Sequence, residues 1–116
     1  MTLITTDVVV WTDVCALDAL IPGRARAALV GDEQVAVFRF PGTDELFAVA
    51  NRDPFSGVDV MSRGIVGTKG EAPKVASPIL KQTFDLRTGV CLDDPSVSLT
   101  TYPVRVVAGR VEIGTS

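Results

Sequence analysis

Residues 34–40, QVAVFRF, are apolar on both faces of an extended chain. Successive side chains of a strand point to opposite sides. Val35 and Val37 therefore share one face, and Ala36, Phe38 and Phe40 share the other. A strand of this kind must be covered on both sides, so it belongs at the centre of a sandwich or barrel.

The neighbouring runs repeat the theme at short, regular intervals. DVVVW (7–11) opens the pattern, and CALDALIPG (15–23) reads as one short helical turn stopped by Pro-Gly. RAALV, a turn at GDE, QVAVFRF, a turn at PGTD and ELFAVAN follow in order. Further on come QTFDL, the turn RTG, VCL and SVSLTTYPVRVV. PVRVVAGRVEI reads as a hairpin turning at Ala108-Gly109, with Val104 and Val106 facing the core opposite Val111 and Ile113. Short strands separated by turn residues predict an all-β domain. The 116 residues suit one domain spanning 1–116 with a single core.

The stretch from Asn51 to Ser77 breaks the pattern. It is rich in Gly, Pro, Ser and charge, and no helix or strand of normal length fits most of it. Long loops inside compact domains are frequently functional. Phe55, Val58, Val60, Met61, Ile65 and Val66 give this one more apolar anchors than a plain linker carries. GTKG at 67–70 reads as a turn.

Composition narrows the function. A net charge of −3 argues against a nucleic-acid binder. No apolar run approaches the roughly 20 residues that span a bilayer. The start lacks a basic n-region, and Asp7 interrupts its apolar character, so a cytoplasmic protein is expected. There is no histidine, which removes the commonest metal ligand and the commonest general base together. Cys15 and Cys91 are the two cysteines and form no CxxC pair. They read as reduced thiols, with Cys91 packed in the core beside Val90 and Leu92.

Two stretches carry a resemblance: AVANRDPFSG (48–57) and SPILKQTFDLRTG (77–89). They resemble the two cluster-binding loops of the Rieske iron–sulfur domain, each of which supplies one Cys and one His. Asn51, Pro54 and Gly57 match the first loop. Pro78, Phe84, Asp85, Leu86, Thr88 and Gly89 match the second. At the ligand positions stand Asp53 and Phe55 in the first loop and Ser77 and Leu80 in the second, while Lys81 replaces a glycine. The resemblance implies a small antiparallel β-sandwich or barrel with an emptied cluster-binding tip, about 51–89. It also implies that Phe55 and Leu80 fill the cluster's space with hydrocarbon.

The sequence is similar in more detail to one ligand-free branch, the small subunits of assimilatory NAD(P)H-dependent nitrite reductase. NRDPFSG, SRGIVG, ASPILKQTFDLRTGVCLDDP, YPVRV and GRVEI carry this similarity, most specifically between Asn51 and Pro95. The resemblance implies a non-catalytic subunit of an oxidoreductase of nitrate assimilation, with no metal and no cofactor of its own. Its partner would be a large catalytic subunit carrying siroheme, a [4Fe–4S] cluster and FAD, which reduces nitrite to ammonium. An electron carrier with an atypical cluster and a stand-alone binding or regulatory module are the competing readings.

The individual polar residues read structurally. Asp53 before Pro54 sets a turn by accepting amide hydrogen bonds. Ser77 has no base to activate it as a nucleophile. Between Arg52 and Arg87 six basic residues meet four acidic ones, so this segment carries +2 and the remainder −5. A basic, apolar-studded tip on an acidic body suits docking to a partner. Arg52, Phe55, Met61, Arg63, Ile65 and Lys81 are the expected partner-binding residues.

Overall fold

The computed structural model describes residues 9–115. Among these residues ten strands form three antiparallel sheets, with two single 3-10 turns in the connections. The first sheet combines β1 (Val10–Ala16), β10 (Arg110–Thr115) and β9 (Val104–Val107), in that spatial order. The second runs β2 (Ala25–Val30), β3 (Glu33–Arg39), β4 (Leu46–Ala50) and β8 (Thr101–Tyr102). The third holds β5 (Ile65–Lys69), β6 (Ala72–Ala76) and β7 (Thr83–Asp85). The expected helical turn is present at Leu17–Ala19, and a second occupies Met61–Arg63. Of the DVVVW run, Asp7 and Val8 lie outside the described residues.

The two-sided strand explains how these sheets assemble. Val35 and Val37 of β3 join Leu20, Val30, Ala48, Val111 and Ile113 in one buried cluster. Ala36 and Phe38 join Phe47, Val49, Met61, Val75, Phe84, Leu86, Cys91 and Leu99 in the other. The second sheet is thus packed between the β1–β10–β9 sheet and the β5–β6–β7 sheet with its loops. Each fully buried Val, Leu or Phe contributes about 1.5–3 kcal/mol relative to exposure. Cys91 is part of this core, as expected.

The structure corrects two readings of the sequence. The 51–77 segment contains a regular hairpin, β5 and β6, which pairs Ile65 with Ala76 through Lys69 with Ala72 and turns at Gly70-Glu71. GTKG is accordingly the end of β5 plus the first turn residue. Gly67 and Pro73 disguise the strands, because each is a poor strand former. Thr68 and Pro73 pair in the same row as Val66 and Val75, with Pro73 and Val75 buried, while Gly67 and Lys74 form the other row. In the terminal hairpin the Ala108-Gly109 turn is present, with both residues at positive φ. Val106, however, is 44 % exposed. It lies opposite buried Val111, but β9 is the outer strand of its sheet and the cover ends there.

Candidate functional site

Two loops converge at the end of the second sheet where β3 begins and β4 ends. The first, 52–59, is closed at its root by a bridge between Arg52 and Asp59. Inside it the Asp53 N–H donates to the Val58 carbonyl at 2.8 Å, and the Gly57 N–H donates to the Asp53 carbonyl at 2.7 Å. Asn51, buried just before it, anchors the loop to the body. Its Nδ2 donates to Gln34 Oε1 at 3.1 Å, and its Oδ1 accepts from the Ser62 N–H at 2.7 Å. The second loop, 77–82, leaves β6 and re-enters β7. The Lys81 N–H donates to the Ser77 carbonyl at 3.1 Å, and the Ser77 N–H donates to the Gln82 carbonyl at 2.9 Å.

A buried hydrogen bond joins the loops. Ser77 Oγ donates to Asp53 Oδ2 at 2.5 Å, across 24 residues of sequence. Asp53 is 0 % exposed, and Ser77 is buried with it. Asp53 Oδ1 accepts from the Phe55 N–H at 2.9 Å, the turn-setting role expected of it. Ser77 Oγ accepts from the Ile79 N–H at 3.3 Å. Burial opposes the ionisation of Asp53, but hydrogen bonds from Ser77 and from the Phe55 and Ser56 amides outweigh it. They hold its carboxyl below the usual carboxylate value. A short bond from a hydroxyl to an ionised acceptor is among the stronger hydrogen bonds available. The two positions that correspond to cysteines in the resembling loops thus brace each other directly.

The positions corresponding to histidines behave differently from one another. Phe55 is half-buried against the core, its ring centroid 6.1 Å from that of Phe84. Leu80 is 57 % exposed. This corrects the expectation that both would fill the cluster's space: Phe55 folds inward, whereas Leu80 points to solvent. Lys81 has φ 62, a left-handed conformation that glycine adopts freely and other L-residues adopt at a cost. The 77–82 loop presents Pro78, Ile79, Leu80 and Lys81 outward.

The expected docking residues divide similarly. Arg52, Arg63 and Lys81 are exposed, and Ile65 is 74 % exposed. Ile65 pairs with Ala76, which places it beside the root of the second loop. Met61 is 0 % exposed and sits in the core with Phe84 and Leu86, so it cannot be a docking anchor. Its N–H donates to the Asn51 carbonyl, and this tether turns its side chain inward. Sequence reasoning missed Ile79, which is exposed beside Leu80. The run Pro-Ile-Leu-Lys, three apolar residues followed by a charge in a loop, was the available signal.

The donor set does not fit a [2Fe–2S] cluster. Such a centre takes thiolates on one iron and imidazoles on the other. Here one candidate oxygen is spent on the other, and the remaining two positions are hydrocarbon. Cys91 is enclosed in the core. Among the described residues no three His, Cys, Asp or Glu side chains are grouped for a metal ion. No helix among them is long and apolar enough to cross a membrane.

Comparison with known proteins agrees with this geometry. Residues 10–114 match the family model of the Rieske-like [2Fe-2S] domain. The chain is 42 % identical over 103 residues to the nitrite reductase (NADH) small subunit of Escherichia coli strain K12, covering 89 % of this chain and 95 % of that one. A crystal structure from Mycobacterium tuberculosis, provisionally assigned as an NADH-dependent nitrite reductase small subunit, superposes with a TM-score of 0.91 at 53 % identity. That match covers 95 % of this chain and 98 % of the other. The nitrite reductase [NAD(P)H] large subunit of Klebsiella oxytoca is 38 % identical over 104 residues, which are 90 % of this chain and 11 % of that protein.

Proposed function

The chain belongs to the Rieske-like family of nitrite reductase small subunits, and from that premise we propose that it is the non-catalytic small subunit of an NAD(P)H-dependent nitrite reductase. In this reading it binds and orients a large subunit that carries siroheme, a [4Fe–4S] cluster and FAD and reduces nitrite to ammonium in nitrate assimilation in the cytoplasm. The chain supplies no catalytic residue. Residues 51–89 act as one docking tip.

The observation that carries the reading is the Asp53–Ser77 brace at the two cysteine-equivalent positions. It keeps the loops in a Rieske-like arrangement without a cluster, so what the tip offers a partner is surface. That surface combines Leu80, Ile79 and Ile65 with Arg52, Arg63 and Lys81, apolar anchors beside positive charge. None of these three cations has a salt-bridge partner among the described residues. An acidic, apolar face on the large subunit would complement it. The Klebsiella large subunit supports the pairing, since a domain like this one forms part of its single polypeptide.

Coexpression with the large subunit tests the proposal. Charge reversal at Arg63 and Lys81, and Leu80→Asp, should lower pull-down yield and nitrite-dependent NAD(P)H oxidation while leaving the isolated fold intact. The effect of the charge reversals should be larger at low salt, because exposed charges are screened within about 8–10 Å at physiological ionic strength. Wild-type binding and turnover in all three variants would remove the tip as the docking surface.

A further inference from the structure

A groove of about 590 Å³ lies at the same end of the molecule as the tip. Its walls include Val9, Ala50, Arg52, Tyr102, Pro103 and Thr115. We propose that this groove is a second contact with the large subunit, continuous with the tip through Arg52 and occupied by a segment of that partner. The inference rests on the partnership proposed above and adds a location to it.

Three observations lead there. Arg52 lines the groove and also opens the 52–59 loop, so the groove and the tip form one surface. Val10 of β1 stands directly opposite Thr115 of β10, so the two ends of the domain emerge side by side at the groove. In the Klebsiella protein the matching stretch is joined covalently to the rest of a large subunit. Whichever end carries that junction, the polypeptide leaves the domain beside this groove. The mass of the large subunit then lies on the groove side, where the tip also points.

The chemistry of the walls specifies the occupant. Val9, Ala50 and Pro103 offer apolar contact, and Tyr102, half-buried against the core cluster of Val35, Val37 and Ala48, also lines the groove. Arg52 and Glu33 also line the groove and have no salt-bridge partner among the described residues. Burial, with a smaller effect of Glu33, raises the Tyr102 pKa, which keeps its hydroxyl a neutral donor. A segment of the large subunit with an apolar side chain against Tyr102 and Pro103 and a carboxylate toward Arg52 satisfies these groups. The volume falls in the range of pockets that accept a few side chains or a small ligand.

The experiment uses the coexpressed complex with a photo-crosslinking residue at Thr100, exposed on the groove wall. The control position is Thr43, in the turn joining β3 to β4 at the opposite end of those strands. Cross-linking to the large subunit from position 100 and not from 43 is the expected result. Thr100→Arg should also weaken association about tenfold or more, the effect of a misplaced charge in an interface, with an unchanged melting temperature of the isolated chain. If position 100 links only to the small subunit's own residues, including 1–8, or to nothing, while Leu80→Asp still disrupts the complex, the groove contact is wrong and the partnership stands. If the wild-type chains do not copurify at all, the inference falls together with the partnership.

Discussion

Replacing Asp53 with Ala removes the acceptor that holds the two loops together. Its carboxylate receives the Ser77 hydroxyl and the Phe55 and Ser56 amides. Each buried donor left without a partner costs about 1–3 kcal/mol, offset in part because the carboxylate no longer has to be desolvated. Ser77 can redirect its hydroxyl, which further limits the loss. We expect Asp53→Ala to destabilise the chain by about 2–4 kcal/mol, a fall in Tm of about 10–20 °C for a domain of this size. Ser77→Ala should cost about 1.5–3 kcal/mol, because the buried carboxylate loses one of its donors. The double variant should be milder than the sum, with a coupling of about 1–3 kcal/mol, since both partners are then absent. Urea unfolding of the four proteins measures all three quantities. The pH dependence follows from the lowered pKa of Asp53. A carboxyl depressed in the folded state stabilises fully above its unfolded value of about 3.9 and loses that contribution as pH falls through the folded value. The difference between wild type and Asp53→Ala should therefore hold near neutrality and shrink below about pH 4. A cost under about 0.5 kcal/mol, with no coupling to Ser77, would refute the idea that this pair braces the tip.

Leu80→His should leave Tm unchanged within about 0.5 kcal/mol of stability, because the side chain is already in solvent; a fall of several degrees would contradict its exposure. Lys81→Gly should stabilise the isolated chain by about 1 kcal/mol through relief of the left-handed backbone, yet weaken association with the large subunit by removing a charge from the tip. Equal stability of Lys81→Gly and wild type in chemical unfolding would show that the conformation carries no strain. Gly89→Ala should cost about 3 kcal/mol or more, because φ is +80 and a Cβ there would lie 2.1 Å from the Leu99 carbonyl oxygen. Soluble, wild-type-like Gly89→Ala protein in a thermal melt would show that the 85–99 turn can shift to accommodate it.

The sequence by itself determined the sandwich and the framework of the tip. QVAVFRF could be read as a doubly covered strand because burial on both sides leaves both alternate rows apolar, and that signal is local. The tip was legible through residues whose roles are set by backbone geometry, such as Pro54, Gly57, Pro78 and Gly89. It was equally legible through the absence of the cysteine and histidine ligands at positions 53, 55, 77 and 80. What those four positions do instead depended on tertiary structure. Asp53 and Ser77 could each be read as a turn residue, but their mutual bond exists because two loops far apart in sequence are brought to one point by separate sheets. Phe55, Met61 and Leu80 look alike as apolar residues in loops. The opposing surface sorts them: Phe84 receives Phe55, the core encloses Met61, and nothing among the described residues covers Leu80. The β5–β6 hairpin was hidden for a related reason. Its strands hold a glycine and a proline that local propensity disfavours, and they are stabilised by pairing with each other, by the pairing of β6 with β7 and by Val75 entering the core. An apolar side chain is driven out of water with no preference for direction, so its destination is set by what packs opposite it, which only the folded chain supplies.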